Sequence, residues 1–373
     1  MKRLIPRLET ERLILREWRQ DDFDWFAELQ ADAEVKRFIG GVQNRIDSWR
    51  TFAGTIGHWY LRGHSFWVVE RKSDGVRLGS LGVIRHEGWP GLEVGWNLER
   101  KHWGKGYASE GARVAQDWAF ATQPVDKVIS CIDAENVNSQ RVALKLGNVK
   151  GAPATITMAG ETFTVDVWEL TREAWQKQGR KPPKIAGTTE LKPMPRLETG
   201  RLILREWRQE DIAPAIGFMA DADVTRYTVG SPQAPMDAWR GLTAIIGHWY
   251  MRGYGFWAVE RKEDHKLVGR VGIWNPEGWP GMEVGWTLGR QYWGKGYATE
   301  AARASMDYAF ETQPIEKLLS VIHVENRPSQ RVAARLGETR GVRTELVFGG
   351  RTFPVEAWEI SRKRWLAERG KPS

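Results

Sequence analysis

The sequence predicts an α+β fold made twice in one chain, each copy a mixed, mostly antiparallel sheet flanked by helices. Three observations predict it. Arg7-Leu-Glu-Thr10 through Gln20 returns as Arg196-Leu-Glu-Thr199 through Gln209, an offset of 189, and from Trp49 and Trp239 onward the offset is 190. So long a period marks a duplicated domain and not a solenoid unit. Strand-like and helix-like runs alternate within each copy, with hairpin signals that argue against an all-parallel sheet. Finally, Trp103-Gly104-Lys105-Gly106-Tyr107-Ala108 recurs as Trp293-Gly294-Lys295-Gly296-Tyr297-Ala298, both times between a strand-like and a helix-like run.

In copy one, residues 12–18 read as a strand and 21–30 as a helix with acidic residues in its first turn. Asp47 suits the N-cap of a helix reaching about Tyr60. Residues 66–70 and 77–84 form strands joined by a Ser73-Asp74-Gly75 turn, and 92–98 is the strand ahead of the glycine loop. The next helix gathers Ala108, Ala112, Ala115, Trp118 and Ala119 on one face. A β-branched strand (128–133), a short helix (139–146) stopped by Gly147, and a closing hairpin around Ala159-Gly160 complete the copy. Copy two reads the same way. Domains are expected at 1–178 and 195–373, with a Pro-, Gly- and Lys-rich linker at 179–194.

Hydrophobic residues make up 41% of the 373 and charged residues 27%, enough apolar material for two cores. The net charge of +8 suits a binder of anions. It is spread along the chain, so nucleic-acid binding is not expected. The lone Cys131 excludes an internal disulfide, and no run approaches the roughly 18–20 apolar residues of a membrane span. A cytoplasmic protein without membrane contact is expected.

A strand, a glycine loop and a helix start together aim free N–H groups and a positive dipole end at a phosphate. Neither known phosphate fingerprint fits. A Walker A loop needs Gly-Lys-Ser/Thr, and a dinucleotide fingerprint needs a third glycine where Ser109 and Thr299 stand. A plain surface turn remains the competing reading.

These residues resemble the GNAT acetyltransferase superfamily, whose signature Gln/Arg-x-x-Gly-x-Gly/Ala binds the acetyl-CoA pyrophosphate. Gln291-Tyr-Trp-Gly294-Lys-Gly296 fits fully, whereas copy one opens with Lys101. Arg-Leu-x-Leu-Arg (12–16, 201–205), the stretches 102–110 and 292–300, and Asn-x-x-Ser before a short helix look like the branch that acetylates ribosomal-protein N-termini. The resemblance covers nearly all of both halves. It implies a sheet splayed at a central β-bulge and acetyl-CoA as cofactor. It implies an amine acceptor, either a peptide N-terminus or a small molecule. Because relatives often work as dimers, it also implies an intramolecular pseudo-dimer or a homo-oligomer.

It further implies site residues. Gly104, Lys105, Gly106, Tyr107 and Ala108, with Lys101, would face the pyrophosphate; so would Gly294, Lys295, Gly296, Tyr297, Ala298 and Gln291. Trp96, Asn97 and Leu98 would pair with the pantetheine arm, as would Trp286, Thr287 and Leu288, joined by Asn136 and Asn326. Val94 or Gly95, and Val284 or Gly285, would turn an N–H to the thioester oxygen.

An ammonium is not nucleophilic, so a base is needed. Glu93 and Glu283 are the candidates, with exposed strand glutamates as the alternative. Glu87 and Glu277 are runners-up. His58 and His248 are expected to pack or to line the acceptor side. The superfamily's usual tyrosine acid is replaced by Ala143 and Ala333, which leaves Ser139 and Ser329, or water; capping of the short helix is the serines' alternative role. No metal cluster or Ser/His/Asp array is expected, so direct attack in a ternary complex is favoured. The rival is a coenzyme-binding sensor or scaffold with one or both copies silent. Phe23-Asp-Trp-Phe26 becomes Ile212-Ala-Pro-Ala215, so the two copies are expected to differ in acceptor preference or in activity.

Overall fold

Copy one opens with β1 (Leu4–Glu9) and β2 (Leu13–Arg16), which turn Ile5, Leu8, Leu13 and Leu15 into the core. The computed structural model describes residues 3–158, 161–348 and 351–369. The turn expected at Ala159-Gly160 and the outer ends of both expected domains, 1–2 and 370–373, lie outside the described residues. A 3-10 turn leads to α1 (Phe23–Ala31), followed by α2 (Ala33–Lys36) and α3 (Arg45–Arg62). The cap of α3 is Asn44, not the expected Asp47: Asn44 Oδ1 accepts the Asp47 N–H at 2.9 Å. Asp47 instead faces the positive end of the helix dipole from the first turn.

Next come β3 (Phe66–Arg71), β4 (Arg77–Ile84), β5 (Glu93–Leu98), α4 (Tyr107–Thr122), β6 (Lys127–Ile132) and α5 (Val137–Lys145). The copy closes with β7 (Val149–Lys150), β8 (Ala154–Met158), β9 (Glu161–Thr171), α6 (Arg172–Lys177) and β10 (Ile185–Glu190). The sheet order is β10-β1-β2-β3-β4-β5-β6-β9-β7, with β8 beside β9. Every ladder is antiparallel except β5–β6.

That parallel pair is the opening in the sheet. β5 and β6 share one register pair, Glu93 with Ile129, and then part. The parting lies where the family resemblance implies it, beside Val94 and Gly95. The register shift of this region lies between β3 and β4, at Val69/Glu70, while β4 and β5 stay in step from Gly79–Leu98 to Ile84–Glu93. Helix α4 packs against β4 so closely that a Cβ on Gly111 would collide with Leu81. In copy two the pair is Ala301 and Val271, the same volume divided differently.

Part of the expected linker is sheet. Residues 185–190 add β10 antiparallel to β1, Leu4 facing Glu190 and Arg7 facing Gly187, because β1 otherwise leaves an unpaired edge. Nor is the basic cluster wholly solvated. Arg180 is taken in by α4 and binds Asp117 Oδ1 at 2.7 Å and the Arg113 carbonyl at 2.8 Å.

Copy two contains β11 (Leu197–Glu198), β12 (Leu202–Arg205), α7 (Ile212–Met219), α8 (Ala222–Thr225), α9 (Pro235–Arg252), β13 (Phe256–Arg261) and β14 (Leu267–Trp274). Then follow β15 (Glu283–Leu288), α10 (Tyr297–Thr312), β16 (Lys317–His323), α11 (Arg327–Arg335), β17 (Thr339–Phe348), β18 (Arg351–Ser361) and α12 (Arg362–Glu368). Its order is β11-β12-β13-β14-β15-β16-β18-β17, and β15 and β16 share only Glu283 with Leu319. The single strand β17 replaces β7 and β8 because copy one carries Pro153, which has no N–H for a ladder, where copy two has Arg343. The chain divides into two units at residues 192 and 193. Among the described residues, no helix is long and apolar enough to cross a membrane.

Candidate active site

The glycine loop between β5 and α4 is built from two left-handed residues, Gly104 (φ 75°) and Gly106 (φ 82°), matched by Gly294 (73°) and Gly296 (81°). A Cβ at Gly104 or Gly294 would meet nothing within 4 Å, so backbone conformation and close approach from outside, not crowding, call for glycine. Neither α4 nor α10 has a side-chain cap, which leaves the N–H groups from Tyr107 and Ala108, or Tyr297 and Ala298, pointing out of the helix start. Lys105 and Lys295 are exposed beside them.

A clamp that sequence reasoning missed holds this loop. Glu110 accepts from the Thr10 hydroxyl, the Arg12 N–H (3.0 Å) and Arg12 Nε (2.6 Å), while Arg12 Nη1 donates to the Lys105 carbonyl at 3.1 Å. Glu300, Thr199, Arg201 and the Lys295 carbonyl repeat it. Both partners lie inside recurring motifs, Arg-Leu-x-Leu-Arg and the stretch after the glycines; their recurrence was the available signal.

The strand edge facing the gap follows from alternation, since a residue in an antiparallel ladder turns its N–H and C=O to the same neighbour. Leu92 O accepts from Ile129 N–H at 2.9 Å, and Val94 O from Ser130 Oγ at 2.7 Å. The even-numbered residues Val94, Trp96 and Leu98 therefore face the parting, and Gly95 and Asn97 face β4. By the same rule Val284, Trp286 and Leu288 face the gap, and Gly285 and Thr287 face β14. Of the alternatives weighed for the N–H donor, this geometry favours Val94 and Val284. The Leu98 carbonyl already accepts the Trp103 indole at 2.8 Å, and Leu288 that of Trp293 at 2.9 Å.

Glu93 and Glu283 lie at the vertex of the parting. Glu93 Oε1 accepts from the Cys131 N–H at 3.2 Å and Oε2 from the Trp89 indole at 2.6 Å. Glu283 does the same with Val321 and Trp279, at 3.2 and 2.7 Å. Burial raises both carboxyls from 4.5 to about 7, outweighing those donors, which favour the charged form. Trp89 and Trp279 come from the Glu-Gly-Trp-Pro-Gly turns, whose part in holding the glutamates was not read from sequence. The runners-up are occupied elsewhere: Arg62 pairs with Glu87, and Arg252 with Glu277 at 2.6 Å.

Across the gap, Ser139 Oγ accepts from the Trp96 indole and Ser329 Oγ from Trp286, both at 3.2 Å. The helix caps are Asn136 and Asn326, whose Oδ1 atoms accept the Ser139 and Ser329 N–H groups at 3.1 and 3.2 Å. The serine hydroxyls are thus not spent on capping, while the asparagines already have a structural task. His58 and His248 are buried in α3 and α9, and burial holds both imidazoles well below their usual pKa.

The copies diverge beside the loop. Lys101 Nζ pairs with Glu99 at 2.6 Å, and Trp25 also donates to Glu99. Copy two has Gln291, Gly289 and Pro214 at these places, and a cavity of about 760 Å³ opens there, lined by Pro214, Phe218, Arg290, Gln291 and Tyr292 among others.

Comparison with known proteins bears on the whole arrangement. The family profile of the acetyltransferase (GNAT) domain matches residues 12–149 and 201–339. Similar proteins include YkkB of Bacillus subtilis (strain 168), 34% identical over 38% of this chain and 84% of its own length. Another is the N-acetyltransferase p20 of Bacillus licheniformis, 30% identical over 36% of this chain and 78% of its own. Among solved structures, an acetyltransferase from Agrobacterium tumefaciens str. C58 covers 45% of this chain and 95% of its own at 28% identity, with a TM-score of 0.41. With both halves matched by that profile, the chain belongs to the GNAT acetyltransferases and carries the domain in tandem.

Proposed function

We propose that each copy transfers acetyl from acetyl-CoA to a primary amine, on a peptide N-terminus or a small molecule, by direct attack in a ternary complex. The observation that carries this reading is a glutamate at the vertex of a parted sheet, on the strand that leads into an uncapped glycine loop, its carboxyl raised by burial to about 7. A base with that pKa is half deprotonated at neutral pH, where general-base catalysis is most effective.

The open loop and its exposed cation fit a diphosphate. Gly104 to Ala108 with Lys101, and Gly294 to Ala298 with Gln291, would hold it through N–H groups and charge. The gap-facing edge at Trp96 and Trp286 would pair with the pantetheine amides, beside Asn97, Leu98, Asn136, Thr287, Leu288 and Asn326. When bound, the thioester supplies an activated acetyl group. The N–H of Val94 or Val284, on the edge that faces the gap, would be the donor available to the thioester carbonyl oxygen. Glu93 or Glu283 takes a proton from the amine. Ser139 and Ser329 accept the indole bond through a lone pair, so each keeps its hydroxyl hydrogen for the departing sulfur.

The domains are proposed to extend over 1–178 and 195–373, with β10 of the segment between them completing the first copy's sheet, in a cytoplasmic protein, a setting consistent with its single cysteine. The change from Phe23-Asp-Trp-Phe26 to Ile212-Ala-Pro-Ala215 supports different acceptors for the two copies. The test is steady-state release of free CoA with a panel of peptides and small amines, products being identified by their acetyl mass increment. Turnover with at least one primary amine, lost in the double variant Glu93→Gln, Glu283→Gln, is the expected result. Coenzyme binding without turnover of any amine would replace the enzyme with a sensor.

A further inference from the structure

Near Glu283, copy two carries a further buried carboxyl, Glu338, where copy one has Asn148. Glu338, just before β17, is 4% exposed and lies against Ser320 of β16, which is 1% exposed. Ser320 Oγ is 2.8 Å from the Val284 carbonyl and 3.0 Å from Glu338 Oε1. A serine hydroxyl has one hydrogen. Both contacts are full two-centre hydrogen bonds only if Ser320 donates to Val284 and Glu338 donates to Ser320, which requires Glu338 to be a neutral acid.

The surroundings agree. Burial and the nearby Glu283 both push the Glu338 carboxyl well above its usual pKa, and its second oxygen, Oε2, is buried with no hydrogen-bond partner. An ion with an orphaned oxygen would be costly there, whereas a neutral acid costs much less.

We propose that Glu338 is a positioning residue of the second site, a neutral acid that commits the Ser320 hydrogen to the Val284 carbonyl and so fixes the strand edge whose N–H faces the gap. Were Glu338 charged, it would capture that hydrogen and release Val284. Copy one builds the edge otherwise. Ser130 makes the Val94 bond at 2.7 Å, but residue 148 is Asn, and its Oδ1 is drawn away by Gln116 Nε2 at 2.7 Å. In copy two the counterpart of Gln116 is Met306, which makes no such demand.

This inference rests on the proposed acetyl transfer, so its test has an arm independent of activity. The infrared difference spectrum between the parent chain and Glu338→Gln at neutral pH should contain the carbonyl stretch of a protonated carboxylic acid; carboxylate bands in its place overturn the proposal. The kinetic arm uses a Gly104→Glu background, which silences copy one. Glu338→Met removes the donor, and Glu338→Asn supplies the residue that copy one carries, in case methionine is not tolerated. Either should lower kcat about fivefold, the worth of one neutral hydrogen bond, with KM for acetyl-CoA unchanged. Glu338→Gln, whose amide still donates to Ser320, should restore kcat to within about twofold. Equal kcat in all variants, or an effect confined to KM, overturns the positioning role. A parent second copy that turns over no amine defeats the acetyl-transfer reading, and the infrared arm still decides the state of Glu338.

Discussion

Replacing Glu283 by Gln should change how stability depends on pH, in a direction and by an amount fixed by burial. The carboxyl is 9% exposed and moves from 4.5 to about 7 on folding. Its native pKa is raised, so the folded chain keeps the proton longer than the unfolded chain. The stabilisation is full below about pH 4.5 and is lost as pH rises towards 7. Each pKa unit is worth about 1.4 kcal/mol, so the loss is about 3 kcal/mol. Glutamine cannot titrate. It also turns an NH2 toward one of the two donors, Trp279 or Val321, at a cost of about 1–3 kcal/mol. That conflict does not vary with pH and drops out of the slope. Urea unfolding followed by tryptophan fluorescence from about pH 4.5 to 8 should show the parent losing about 3 kcal/mol relative to Glu283→Gln. A difference that stays flat, or that favours the parent as pH rises, refutes the burial argument.

Other consequences are as direct. The rate of each copy should rise with pH through an inflection near 7, because the base works deprotonated, and Glu93→Gln should abolish that inflection in copy one. Trp89→Phe removes a donor that favours the charged carboxylate, so the inflection should move upward by roughly half to one unit in the pH–rate profile. Glu110→Ala and Glu300→Ala cut the clamp on the glycine loop; KM for acetyl-CoA should rise severalfold in steady-state assays while kcat moves little. Arg180→Ala leaves Asp117, 14% exposed at its side chain, without its guanidinium, and should lower the urea midpoint of the unfolding transition to which copy one contributes, by about 2–4 kcal/mol in stability.

The duplication made much of this architecture readable, because each element was written twice and chance patterns seldom recur in step. Alternation and the glycine pair placed β5, the loop and α4, while Glu93 and Glu283 were nominated by the need for a base and by the family resemblance. What escaped the sequence depends on distant contacts. Nothing local in Ile185–Glu190 signals a strand; the open edge of β1, far away in sequence, makes it one. Trp89 reads as a turn residue until β5 brings Glu93 within reach of its indole. Asn44 and Asp47 are equivalent as caps on paper, and only the path of the chain chooses between them. Nothing local marks Glu338 as buried; its place against Ser320 of β16, distant in sequence, does.

The most direct test of the central claim is isothermal titration of the whole chain with acetyl-CoA. Two equivalents per chain are expected, falling to one in Gly104→Glu and one in Gly294→Glu, where a carboxylate would crowd and repel the diphosphate, with circular dichroism unchanged. No measurable binding to the parent chain would contradict the account.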